Sequence, residues 1–193
     1  TSNNTTATVY INGGNYWIID GRQGGAGTTR DLSIFNTSSA TGGSAITFTN
    51  EASNNIIQYT NLQSAFSSTT SGVIVFSTTT GTYGNDNNTI SNNSIDGGAG
   101  STASPTLGVA RFGIYSLGST GTADQNNSGN IISDNLIFNN FVTGAAITST
   151  GIYVAAGNTD WTISGNSIYQ TNTRTATVGV ATVYGIYINN SSS

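Results

Sequence analysis

The chain has 193 residues, enough for one domain that buries roughly 70 % of its unfolded surface. Charged residues make up 6 % of it, with four Arg and no Lys, His, Cys or Met, where ordinary soluble domains carry about a quarter. The net charge of −4 argues against nucleic acid as a partner, the lack of cysteine excludes disulfide and thiol chemistry, and no run of 18 apolar residues is present to enter a membrane.

Hydrophobic residues still amount to 35 %, and they fall in short β-branched bursts, unlike the sparse apolar content and high charge of disordered chains. Taken in chain order, a first set reads Trp17-Ile18-Ile19-Asp20, Leu32-Ser33-Ile34-Phe35 and Ala45-Ile46-Thr47-Phe48. A second begins at Ile57-Gln58-Tyr59-Thr60-Asn61-Leu62 and continues at Gly72-Val73-Ile74-Val75. A third pairs Ile90-Ser91-Asn92-Asn93-Ser94-Ile95 with Gly113-Ile114-Tyr115-Ser116. A fourth pairs Ile132-Ser133-Asp134-Asn135-Leu136-Ile137 with Gly151-Ile152-Tyr153-Val154, and a fifth pairs Ile163-Ser164-Gly165-Asn166-Ser167-Ile168 with Gly185-Ile186-Tyr187-Ile188.

The leading isoleucines Ile57, Ile90, Ile132 and Ile163 lie 33, 42 and 31 residues apart, a period that marks a solenoid. Two isoleucines five apart fit neither one strand nor one helix, so the hexad predicts a bend between two short strands. Asparagine tolerates left-handed backbone best among non-glycine residues. Asn93, Asn135 and Asn166 are therefore expected in that bend, stacked as an amide ladder, with Ile90, Ile132 and Ile163 stacked beside them. A β-sandwich would need hairpin turns between neighbouring strands, whereas like strands recur here a whole coil apart. The expected fold is all-β: a right-handed parallel β-helix of about five three-strand coils with variable loops, one domain over residues 1–193.

The runs Trp17-Ile18-Ile19-Asp20-Gly21-Arg22, Thr28-Thr29-Arg30-Asp31-Leu32-Ser33-Ile34, Ser71-Gly72-Val73 through Gly81, and Gly84-Asn85-Asp86-Asn87-Asn88-Thr89-Ile90-Ser91-Asn92 resemble those of secreted bacterial parallel β-helix repeat proteins of the pectate-lyase-like superfold. The giant surface and type IX-secreted proteins of the Bacteroidetes carry similar stretches. The resemblance covers nearly the whole chain and implies an extracellular or cell-surface location. It leaves the activity open, because this superfold hosts lyases, hydrolases, adhesins and fibres. The lack of Cys, Met and Lys fits a surface exposed to oxidants and proteases. The start at Thr1 without a leader fits a processed chain or a piece of a longer one.

Catalysis is not expected. Histidine and lysine are missing, and the eight acids show no pair at one register of neighbouring coils, such as a glycosidase needs. No cofactor and no metal site are expected: Gly84-Asn85-Asp86-Asn87-Asn88 carries a single carboxylate, and a tight calcium loop carries several. Arg22 and Arg30, beside Asp20, Asp31 and the Gly24-Gly25-Ala26-Gly27 run, are candidate ligands for an anion or glycan; the expectation is that Arg–Asp pairs close this loop onto the solenoid. Tyr115, Tyr153 and Tyr187 share a register and predict an exposed aromatic ladder that could stack on sugar rings or simply shield the sheet. No capping helix is visible at either end, and bare β-helix ends template further pairing. The expected function is a non-catalytic structural or adhesive module. Its candidate partners are copies of itself stacked end to end, with isoleucine and asparagine ladders crossing each junction, or adjoining β-helix segments. The alternative is a carbohydrate-binding or polysaccharide-cleaving β-helix.

Overall fold

A computed structural model of the chain describes residues 1–38, 42–98, 108–142, 148–171, 173–174 and 181–190; the three terminal serines lie outside them. Its strands form three parallel sheets wound in order, the arrangement of a parallel β-helix. The first face holds β2 (Ile18–Asp20), β5 (Ile56–Gln58), β8 (Thr89–Ser91), β12 (Ile131–Ser133) and β16 (Thr162–Ser164). The second holds β3 (Leu32–Asn36), β6 (Thr60–Ser64), β9 (Ser94–Asp96), β13 (Leu136–Phe138) and β17 (Ser167–Tyr169). The third holds β1 (Val9–Asn12), β4 (Ile46–Thr49), β7 (Ile74–Phe76), β10 (Phe112–Ser116), β14 (Thr148–Val154) and β18 (Thr182–Ile188). A two-stranded ribbon of β11 (Asn127–Ser128) and β15 (Asn158–Thr159) lies between the third face and the first.

Register is exact in type from coil to coil. Ile19, Ile57, Ile90, Ile132 and Ile163 align down the first face. Ile34, Leu62, Ile95, Ile137 and Ile168 align down the second. Val9, Ile46, Ile74, Ile114, Ile152 and Ile186 align down the third. The middle members are fully buried, and each such side chain stabilises the fold by about 1.5–3 kcal/mol. Phe48 stacks on Phe76 at 4.7 Å, and Trp161 meets the edge of Phe76 at 5.1 Å.

The corner between the first and second faces is built from two residues with separate duties. The bend falls on Tyr59, Asn92, Asp134 and Gly165, with φ of 51°, 58°, 57° and 65°. The expectation that Asn93, Asn135 and Asn166 take the left-handed turn is thus off by one residue. The bending residue must point outward, so the residue after it points in, and those asparagines keep φ negative. Inside, they do form the ladder. The Asn93 backbone N–H and Nδ2 both donate to Asn135 Oδ1, at 2.9 and 3.1 Å, and Asn135 donates likewise to Asn166 Oδ1, at 3.0 Å each. Each Nδ2 also donates back to a carbonyl of the preceding coil, from Asn93 to Ile57, Asn135 to Ile90 and Asn166 to Ile132. One amide thereby joins three coils.

Removing a rung strands several buried groups at once: for Asn135, the Asn93 backbone N–H, the Asn93 amide and the Ile90 carbonyl. Each unmet buried partner costs about 1–3 kcal/mol. Asn135→Ala should therefore cost about 3–5 kcal/mol in urea unfolding, whereas Asn92→Gly, at a left-handed position, should be near neutral.

Candidate functional sites

Two further amide columns occupy the corner between the third face and the first. Asn55 donates to Asn88 Oδ1 from both its backbone N–H and Nδ2, at 3.0 and 2.9 Å, and Asn88 to Asn130 Oδ1 at 2.9 and 3.1 Å. Asn85 donates in the same way to Asn127 Oδ1, at 2.9 Å each. These residues escaped the sequence reading, although the signal was present: an asparagine two residues before Ile57, Ile90 and Ile132, and another three before Asn88 and Asn130. Asn85 and Asn88 turn inward in this way, so two of the three asparagines of the Gly84–Asn88 stretch are held in the solenoid. Among the described residues no three His, Cys, Asp or Glu gather as metal ligands, and no helix is long and apolar enough to cross a membrane.

At one end of the solenoid Val9, Ile11, Trp17 and Ile19 line an open hollow of about 330 Å³. At the other, Val154, Trp161, Ile163 and Ile188 line one of about 370 Å³. Ile186 and Ile188 point to the interior yet are 46 % and 64 % exposed, because no coil covers them among the described residues. The third face holds six strands to the others' five, and its β18 lies beyond the last strand of each of the other two faces. The first coil does not present what the asparagine ladders would need to cross a junction between copies. Trp17 stands at the register of Asn55, and Leu32 at that of Thr60, which donates to Asn93 Oδ1. Neither has an amide, so the expected asparagine continuity from copy to copy fails on residue type, while the aliphatic columns remain matched.

Tyr115, Tyr153 and Tyr187 do share one column of the third face, but they are no open platform. Tyr115 is only 5 % exposed, and burial raises its phenol above the usual tyrosine range, with Tyr153 adding to the effect. Phe112 packs on the same side as Tyr115, so in–out alternation breaks at Gly113, while the register with β14 is unchanged on either side of it. A Cβ at Gly113 would sit 2.4 Å from Ile137 Cγ2 and 2.7 Å from the Gly151 carbonyl, so only glycine fits, and Phe112 stacks against Tyr115 at 5.4 Å. Tyr187 stacks against both Tyr153 (4.9 Å) and Tyr184 (4.7 Å). The ring faces are thus occupied by one another.

Arg22 is held by Asp20, with Nε 2.9 Å from Oδ1 and Nη2 2.6 Å from Oδ2, and lies 4.3 Å over the Tyr59 ring. Arg30 donates from Nε to the Asn92 carbonyl at 2.7 Å. Asp31 accepts from Thr29 and from the Gln23 N–H. These contacts bind the first-coil loop to the solenoid and hold both guanidinium groups by their Nε atoms.

Two carboxylates line one cleft although they share no register. At the corner between the third and first faces, Glu51 and Asp86 line an open cleft of about 290 Å³ together with Tyr16, Tyr83, Asn54 and Asn87. Glu51 Oε1 accepts from the Thr82 and Tyr83 N–H groups at 2.6 and 2.9 Å. Asp86 Oδ1 accepts from the Ser128 N–H at 2.7 Å; burial raises the Asp86 carboxyl, and that bond partly offsets the rise.

Compared with known proteins, the chain matches no family model, no curated protein and no solved structure.

Asp20 supplies a pH test of the first-coil clamp. The Arg22 side-chain and backbone donors and the Gln58 amide hold its carboxyl well below the usual carboxylate range. A folded pKa below the unfolded one contributes stability above about pH 4, lost as pH falls through the folded value. Asp20→Asn should therefore lower the Tm at roughly pH 5 to 8, and the gap to the parent chain should close at pH values below that window.

Proposed function

We propose that this chain is a non-catalytic structural or adhesive β-helix module that works outside the cell and assembles through its ends. The observation that carries this is the pair of uncovered edges on the third face. β1 presents Val9 and Ile11 to the interior and Tyr10 outside; β18 presents Ile186, Ile188 and Tyr187 in the same columns. Laid in parallel, β1 of one copy against β18 of another would set Val9 on Ile186, Tyr10 on Tyr187 and Ile11 on Ile188. The backbone edges would pair and the exposed apolar ends would be buried. The resemblance to secreted β-helix repeat proteins, and a composition free of Cys, Met and Lys, support the extracellular placement.

Such a junction repeats every six strand levels of the third face, about 29 Å at ~4.8 Å per level; a five-coil repeat would give about 24 Å. It lacks asparagine rungs and leaves the first and second faces each one strand short, so it is weak and adjoining β-helix segments would complete it better than a second copy. Sedimentation velocity and electron microscopy of the purified chain over a range of concentrations test this. Head-to-tail oligomers that grow with concentration, repeat near 29 Å and are lost in Ile188→Asp are expected. Monomers at every concentration would remove the basis for assembly through the ends.

A further inference from the structure

The cleft between Tyr16 and Tyr83 is not used by the end-to-end assembly, and its composition is hard to explain as structure alone. Tyr16, Asn54, Asn87, Gly129 and Asp160 occupy one corner register and all have positive φ, from 55° to 64°. Asn, Gly and Asp adopt that conformation readily, whereas an aromatic residue does so at a cost. Tyr16 recovers none of that cost by packing, since it is 78 % exposed. Glu51 is likewise left-handed, at φ 68°. Tyr83 faces Tyr16 across the cleft residues and is 59 % exposed. Strained positions that serve no packing are where function collects.

The polar groups between the two rings are fixed yet unspent. Glu51 and Asp86 each have one oxygen held by backbone N–H groups, which leaves Glu51 Oε2 and Asp86 Oδ2 free to accept. The Asn54 and Asn87 side-chain amides and both tyrosine hydroxyls have no hydrogen-bond partner among the described residues. The site therefore offers ring faces that are not stacked on other rings, unlike those of the third face. It adds amides that donate and accept, and carboxylates that only accept.

We propose that this cleft binds a neutral, hydroxyl-rich ligand, a short stretch of uncharged glycan. Hydroxyl groups can donate to the free carboxylate oxygens and exchange bonds with the amides, and the tyrosine rings can stack against the apolar faces of sugar rings. An acidic glycan is disfavoured, because it would meet two carboxylates, no cation in the cleft and a net charge of −4. The inference rests only on the adhesive half of the proposed function and is independent of assembly through the ends.

Calorimetric titration of the intact chain, dilute enough to be monomeric, distinguishes the two. The probes are cellotetraose, xylotetraose, maltotetraose and mannotetraose, with tetragalacturonate as the acidic counterpart and calcium chloride alone as a cation. At least one neutral tetrasaccharide should bind with a Kd of about 1 mM or below. Tyr16→Ala and Tyr83→Ala, both exposed and so harmless to the fold, should each weaken binding about tenfold. Tyr187→Ala, on the third face, should leave binding unchanged. The proposal is overturned by silence from all four neutral probes, by stronger binding of tetragalacturonate, by a response to calcium alone, or by binding that survives both cleft variants.

Discussion

The interaction on which the rest of this structure depends is the stacked asparagine amide at the solenoid corners. A parallel β-helix must turn its chain sharply several times per coil, and each turn removes backbone N–H and C=O groups from the strand ladders. Buried without partners, those groups would cost more than the aliphatic core returns. Asn93, Asn135 and Asn166 solve this at one corner, and Asn55, Asn88 and Asn130 at another. The Oδ1 atoms of Asn88, Asn130, Asn135 and Asn166 each take two N–H bonds from the coil before, and each Nδ2 reaches a carbonyl as well. The same residue in successive coils is therefore required, and that requirement holds the isoleucine columns in register.

The ladders also give the molecule a direction. The bonds to the Oδ1 atoms run from each coil to the next one toward the C-terminus, so the two ends differ in kind. One end carries Trp17 and Leu32 at the ladder registers, and the other ends on Asn166 with no next rung among the described residues. The aliphatic columns lack this polarity and match at both ends. Ligand chemistry and stacking would thus separate in space: the proposed assembly uses the third face and the ends, while the corner loops, which need only keep their asparagines inward, are free to carry exposed tyrosines and carboxylates such as Tyr16 and Glu51.

Much of the fold was legible in the sequence, because the core repeats in type at fixed offsets. The hexads and the Gly-Ile-Tyr strands identified all three faces, and Ile90, Ile132 and Ile163 stack as their spacing implies. The turn was misplaced by one residue because two adjacent asparagines in Asn92-Asn93 offer the same backbone tolerance, and only inward or outward direction separates them. The burial of Tyr115 depends on Phe112, which packs beside it because in–out alternation breaks at Gly113, and no period-two pattern reveals that. The Glu51–Asp86 cleft was hidden for a related reason: the two acids stand six and four residues before their anchors Ile57 and Ile90, so no shared register marks them, and loop geometry alone brings them together.

Hydrogen exchange at the corner amides tests this account most directly. The backbone N–H groups of Asn93 and Asn135 lie outside the strands but donate within the ladder. If the ladder holds the coils together, both should exchange as slowly as the N–H groups of Ile90 and Ile132 in the adjoining strands, through global unfolding. Exchange at loop-like rates while those strands stay protected would contradict the central role given to the asparagines.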